Sequence, residues 1–231
     1  MFFLEAFQWT QLLQPQFYID NGGLWLVLFI VFAETGLFAG FFLPGDSLLF
    51  VAGIYSNELA AYLYNTNSDL LNLLIVIILV TIAGTIGNAV GYWFGRRIGP
   101  AMYTWRENFF FKQKYLHQAK DFYDKYGGGA IVFARFLPII RTFAPIVAGI
   151  VNMDRKKFGF FNIIGCIAWT TSMVGAGHYL QKFFEKQFGI DLRTHLELIV
   201  LGIVLVTTAP VIIKIIFGKK KDPAEPLNSS E

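Results

Sequence analysis

No lysine or arginine occurs before Arg96; all nineteen basic residues lie in the 136 residues that follow. Charge is scarce throughout, at 15% Asp, Glu, Lys and Arg against 55% apolar side chains, with a mean hydropathy of +0.51. Ordinary soluble domains carry about 25% charge, so a soluble fold would leave large apolar faces uncovered. The net charge of +3 forms no basic stripe on a polar face, which excludes nucleic acid as a partner. Cys166 is the single cysteine, so no intramolecular disulfide can form. The opening stretch "MFFLEAFQWTQLLQPQFYID" has no basic leader segment and contains Glu5, unlike a cleaved signal. Its Phe, Trp and Leu suit a helix over 1–20 lying in the membrane interface.

What is present is a chain of long apolar runs. A span needs about 20 apolar residues, and 70–94, 158–180 and 196–217 supply them without internal charge. These are expected to be transmembrane helices. Two further runs differ. Segment 24–53 includes "FAETGLFAGFFLPGDSLLFVAG", with Glu34, Asp46 and a Pro44-Gly45 break; segment 127–151, "GGGAIVFARFLPIIRTFAPIVAGIV", has Arg135, Arg141, Pro138 and Pro145. Both close on Val-Ala-Gly, at Val51-Ala52-Gly53 and Val147-Ala148-Gly149.

Basic residues in short loops set orientation. The connector 96–126, the loop 152–157 and the stretch 214–221 hold fourteen, against three in 181–195 and none in 54–69. The fourteen mark the cytoplasmic side, which includes the C-terminus. Both ends of 127–151 then lie inside and both ends of 24–53 outside. Each segment is therefore expected to be a re-entrant hairpin bent at its prolines and followed by a plain spanning helix, an inverted repeat whose broken helices meet near the midplane. The alternative is two ordinary kinked spans.

In one unbroken helix, twelve residues turn through about 1200° and climb roughly 18 Å, so Glu34 and Asp46 would point about 120° apart. Arg135 and Arg141, six apart, would diverge as far. Breaks at Pro44-Gly45 and at Pro138 and Pro145 allow both pairs to approach the bundle centre. The plain reading is mutual neutralisation, since a charge at that depth needs a partner, with Asp46-Ser47 capping the second half-helix. The functional reading gives Arg135 and Arg141 to an anionic headgroup, which guanidinium suits by its bidentate geometry, and gives Glu34 and Asp46 to proton uptake and release.

The remaining features are conventional. In "GNAVGYWFGRRIG", glycines at 87, 91, 95 and 99 let another helix approach closely. Residues 106–126 suit a cytoplasmic amphipathic helix on anionic headgroups, and 219–231 read as a disordered tail, leaving 1–218 as one membrane domain. His117, His178 and His195 pair with no Ser or Asp at motif spacing, and no Cys/His cluster suggests a metal. An integral-membrane lipid phosphatase is therefore disfavoured, no cofactor is called for, and a proton- or ion-coupled small-solute exchanger stays as the rival to lipid transport.

The segments "ETGLFAGFFLPGDSLLF", "FARFLPIIRTFAPIVAG" and, between them, "GNAVGYWFGRRIG" resemble the signatures of the DedA family, across roughly 22–180. The resemblance implies a bacterial inner-membrane protein of membrane homeostasis and undecaprenyl phosphate recycling. It also implies kinship with the eukaryotic autophagy scramblases that share the SNARE-associated, or VTT, domain. Glu34 and Asp46 match positions implicated there in proton-dependent function, and Arg135 and Arg141 match essential arginines. The expected protein is an all-α flippase or scramblase for a phosphate-headed lipid. Its partners are lipid and protons, and self-association is open.

Overall fold

The structure is a computed structural model and describes residues 15–37, 45–64, 66–102, 113–196, 198–199 and 201–203. Pro44, most of the expected helix 1–20, most of the expected span 196–217 and the tail 219–231 lie outside the described residues. Among the described residues all regular structure is helical: α1 Pro15–Gly36, α2 Gly45–Ile54, α3 Ser56–Ala61, α4 Asp69–Met102, α5 Gln113–Tyr126, α6 Gly129–Ala134, α7 Pro138–Ile150 and α8 Arg155–Phe188, then a 3-10 turn Leu192–His195.

Two helices dominate. α4 and α8 have 34 residues each, and both are long and apolar enough to cross a membrane. At 1.5 Å per residue each reaches roughly 50 Å, well beyond a hydrocarbon core of about 30 Å. They are apolar on their outer as well as their inner faces. On α4, Leu74, Ile78, Ile82 and Ile86 point outward, while Leu73, Val76, Val80 and Gly84 are buried. A helix that is apolar all round suits a lipid surround.

The pair runs antiparallel. At one end Lys182 of α8 meets Asp69 of α4 at 2.6 Å. At the other, the Tyr92 hydroxyl donates to the Met153 carbonyl just before α8, and Arg96 donates to that hydroxyl at 2.8 Å. Asp154 caps α8 by accepting from the Lys157 N–H, which holds its carboxyl below the usual range. Between the ends, Thr81 and Thr170 hydroxyls bond at 2.7 Å.

The shorter helices attach to this pair in a crossed fashion. α1 lies on α4 and α6 on α8, but α2 packs against α8 and α7 against α4. The crossing contacts are backbone to backbone. A Cβ on Gly53 would stand 2.0 Å from the Val174 carbonyl oxygen, and one on Gly177 would stand 2.0 Å from that of Phe50. In α7 and α4 the arrangement recurs. A Cβ on Gly149 would stand 2.1 Å from the Tyr92 oxygen, and one on Gly95 2.0 Å from that of Ile146. Phe50 and Gly53 have the spacing of Ile146 and Gly149; Val174 and Gly177 have that of Tyr92 and Gly95. The two Val-Ala-Gly triplets are thus two copies of one close helix crossing.

Local chemistry explains where helices stop. Gly23 in α1 has φ 52° and ψ −141°, a conformation that side chains resist, and the Tyr62 ring occupies the space a Cβ would need. The break falls between the expected interfacial helix 1–20 and segment 24–53. α6 ends at Ala134 and α7 restarts with Pro138 at its first position, after Leu137 in an extended conformation. That is the backbone a following proline imposes and the helix position it tolerates. Pro145 departs from the expectation. It was expected to break the segment, but α7 continues through it to Ile150. One proline removes a single helical hydrogen bond, and here Pro145 itself and the turn after it, at Ile146 and Gly149, are held against α4.

Gly53→Ala and Gly149→Ala each place a methyl against a carbonyl oxygen. Both are expected to lower the thermal midpoint in detergent, at a cost of about 1–3 kcal/mol. Gly159→Ala, whose Cβ meets nothing within 4 Å, is expected to leave it unchanged.

Candidate functional site

Four charged side chains from different elements lie at the middle of α4 and α8, each no more than 8% exposed: Glu34, Asp46, Arg135 and Arg141. Glu34 sits near the end of α1, where Gly36 faces the backbone of Gly87 in α4. Asp46 is the second residue of α2, Arg135 follows α6, and Arg141 is in the first turn of α7.

Arg141 bridges the two acids. Its Nη1 donates to Asp46 Oδ1 and its Nη2 to Glu34 Oε1. One fork of donors thus engages two carboxylates on two helices, a use of guanidinium that lysine cannot reproduce. Gly45 makes this possible. A Cβ there would stand 1.4 Å from Glu34 Oε2, so only glycine lets the carboxylate reach the N-terminus of α2. Unpaired backbone N–H groups and the helix dipole favour an anion at that place. Glu34 Oε2 itself has no hydrogen-bond partner.

Arg135 is held differently. Its Nη2 donates to Asn162 Oδ1 at 2.6 Å, its Nε has no partner, and no carboxylate of the described residues lies within 4 Å. Asn162 in turn donates to the Thr85 carbonyl of α4 at 3.1 Å. Turning the Asn88 amide over lets it donate to the Thr35 carbonyl at 3.0 Å and aims its oxygen at Arg135 Nη2. Gly165 leaves room for the arginine stem, since a Cβ there would stand 3.0 Å from Arg135 Cδ. This guanidinium is therefore buried among neutral amides.

Both cations lie over one ring. Trp169 of α8, fully buried, has the Arg141 guanidinium 4.8 Å and the Arg135 guanidinium 5.8 Å from its ring centroid, and its Nε1 donates to Asp46 Oδ1 at 2.9 Å. Three of the four charges thus share ion pairs, and the fourth joins them through the indole.

Charge and proline placement pointed to the four ionic residues and passed over the neutral ones that support them. Trp169, Asn162 and Asn88 sit in helices that read as plain spans. The signal that would have found them is an amide or indole N–H on the inward face of a span, which needs a partner there as much as a charge does. Sequence spacing also missed a Ser–His contact. Ser56 Oγ lies 2.7 Å from His178 Nδ1, tying α3 to α8 near the Asp69–Lys182 end.

Comparisons with known proteins show the family. The VTT domain matches residues 43–179. The chain is 38% identical over 201 residues to protein DedA of Escherichia coli strain K12, covering 86% of this chain and 85% of that one. It is 34% identical over 208 residues to an uncharacterized membrane protein of Mycobacterium leprae, covering 87% and 86%. To the inner membrane protein YqjA of E. coli K12 it is 31% identical over 164 residues, covering 70% and 69%. No solved structure matches. The chain belongs to the DedA family of VTT-domain membrane proteins.

Arg141→Gln strands two buried carboxylates and is expected to destabilise the protein by about 3–5 kcal/mol, because removing one partner leaves the other charge uncompensated. Adding Glu34→Gln and Asp46→Asn to it removes the stranded charges and is expected to restore most of the loss. Unfolding midpoints in detergent check the order; a triple variant less stable than Arg141→Gln alone would contradict the assigned ion pairs.

Proposed function

We propose that the chain moves a phosphate-headed lipid, undecaprenyl phosphate or a phospholipid, between membrane leaflets with the help of protons. The observation that carries this is Arg135: a buried guanidinium with neutral amide partners and no carboxylate at ion-pair distance among the described residues. A cation at such depth calls for a counter-ion. A phosphate entering as substrate meets that need, with its oxygens on Arg135. The apolar tail stays in the bilayer while only the headgroup passes the bundle centre.

The broken segments are, on this reading, re-entrant hairpins of an inverted repeat. Supporting it, α1 runs from Gly23 beside Tyr62 to Gly36 beside Gly87, and α2 returns from Glu34 to Gly53 beside His178, near the Asp69–Lys182 end. α6 runs from Gly128 beside Phe161 to Arg135 beside Gly165, and α7 returns from Arg141 to Gly149 beside Arg96, at the opposite end. Irregular backbone at the centre is tolerated where protein surrounds it. The excess of basic residues at the Arg96 end supports a cytoplasmic side there, shared with the C-terminus, in a bacterial inner membrane.

Protons enter through the acids. Glu34 Oε2 is the unpartnered oxygen of the pair and the atom on which a proton can sit. A proton there removes one of the two charges holding Arg141, which frees that guanidinium to join Arg135 on the phosphate. No step cleaves the lipid.

Reconstituted vesicles carrying fluorescent undecaprenyl phosphate or phosphatidic acid test this by quencher accessibility. Arg135→Ala is expected to slow flipping at least about tenfold, equivalent to one lost charge-assisted hydrogen bond, while Glu34→Gln flattens the pH dependence. Wild-type rates in a folded Arg135→Ala protein would sink the reading. Proton flux without lipid movement would favour the small-solute exchanger.

A further inference from the structure

Among the described residues, Trp169 is the neutral side chain that touches both cations and an acid of the cluster. Its indole N–H reaches Asp46 Oδ1 at 2.9 Å, and that oxygen also accepts from Arg141 Nη1. Its ring face lies 4.8 Å from one guanidinium and 5.8 Å from the other. It is fully buried, and α4 meets it with Gly84, where even a Cβ would come no nearer than 3.8 Å to the ring. A buried indole needs a hydrogen-bond partner, and packing alone would be served by Phe or Leu. Asp46 and Glu34 are also held unequally: Asp46 Oδ1 has two donors, whereas Glu34 has one engaged oxygen and one bare one.

We propose that Trp169 is a positioning residue: its N–H fixes the Asp46 oxygen that Arg141 uses, and its ring seats the guanidinium groups of Arg135 and Arg141 side by side. The consequence is directional. When Arg141 lets go of the acids, Asp46 keeps a donor and stays in place, so the arginine can return to the same oxygen. Meanwhile the ring face keeps Arg141 beside Arg135 instead of letting it retreat. An indole face attracts a desolvated cation, which biases the position of a group that has lost one ion pair.

The charged and titratable groups facing this arrangement are Glu34 from α1, Asp46 from α2, Arg135 after α6, Arg141 from α7 and Cys166 one turn before Trp169 on α8. Trp169→Phe keeps a ring under the guanidiniums and deletes the donor. That donor acts on a carboxylate of the cluster, so its loss is expected to change the pH profile of lipid flipping. Trp169→Leu deletes the seat as well and is expected to cut the rate at least about tenfold.

The rate measurements rest on the transport reading above; a second measurement does not. The chain has five tryptophans. In a protein with the other four replaced by Phe, labelled at the indole nitrogen and held in lipid nanodiscs, the single indole resonance reports Trp169. Asp46→Asn is expected to move that resonance upfield, as a charged acceptor becomes neutral, while Thr66→Ala, at the Asp69 end, leaves it alone. An indole resonance indifferent to Asp46→Asn overturns the proposal, as does a folded Trp169→Phe protein whose pH profile superimposes on the wild type. If the wild type flips no phosphate lipid, the transport reading falls and the resonance still decides the positioning role.

Discussion

One guanidinium shared by two carboxylates at the centre of an apolar bundle is the constraint around which the chain is arranged. Bringing any one of these charges out of water alone costs several kcal/mol, and their attraction offsets that only when the geometry is good and the remaining donors are engaged. Glu34, Asp46 and Arg141 come from three different helices. Those helices must therefore begin or end at the depth where the charges meet. α2 starts beside Asp46 and α7 starts just before Arg141. At the start of α2, Gly45 lets the Glu34 carboxylate approach, and a helix N-terminus favours an anion at that place.

That arrangement needs a scaffold stiff enough to hold the short helices α2 and α7 in register, and the glycine crossings provide it. At Gly53 with Gly177 and again at Gly149 with Gly95, backbones meet without side chains between them. α2 is thereby fixed to α8 and α7 to α4, each to a long helix other than the one that next follows it. The halves cannot part without breaking both crossings. In a lipid surround, where apolar burial gives little driving force, such close backbone approach is a main source of helix association. The crossings and the ion cluster depend on each other: a small slide at Gly53 would carry Asp46 away from Arg141.

How much of this the sequence disclosed follows from the physics of each element. The long helices were legible because α4 and α8 each contain an uncharged apolar run of at least a span's length. The broken segments were legible because charge and proline are both costly in hydrocarbon, so their coincidence at Glu34, Asp46, Arg135 and Arg141 marked them. Pro145 misled, because the cost of a proline inside a helix depends on what supports the neighbouring turns, and α4 supplies that support. Trp169 and Asn162 were illegible for a different reason. A tryptophan in a span is ordinarily an interfacial or packing residue, and only the fold brings its N–H to Asp46. The crossed attachment of α2 and α7 was likewise hidden, since each Val-Ala-Gly triplet shows that something comes close without showing which helix does.

The two arginines, alike in the sequence, have unlike roles in the structure, and the difference bears on how a transport cycle would run. Arg141 already has its full complement of negative charge, so a phosphate arriving at it would have to displace an acid. Arg135 is held by amides and has no such competitor among the described residues. A headgroup would therefore meet Arg135 first, and Arg141 only after the acids had given up part of their claim. Neutralising Glu34 does so without stranding charge, since the proton replaces the lost guanidinium. Substrate and proton would then be linked by simple electrostatics: the bundle centre holds two cations, and two negative charges must always be near them, whether both come from the protein or one comes from the cargo. A variant lacking Asp46 would still bind at Arg135 but would lose the fixed oxygen to which Arg141 returns, which separates binding from turnover.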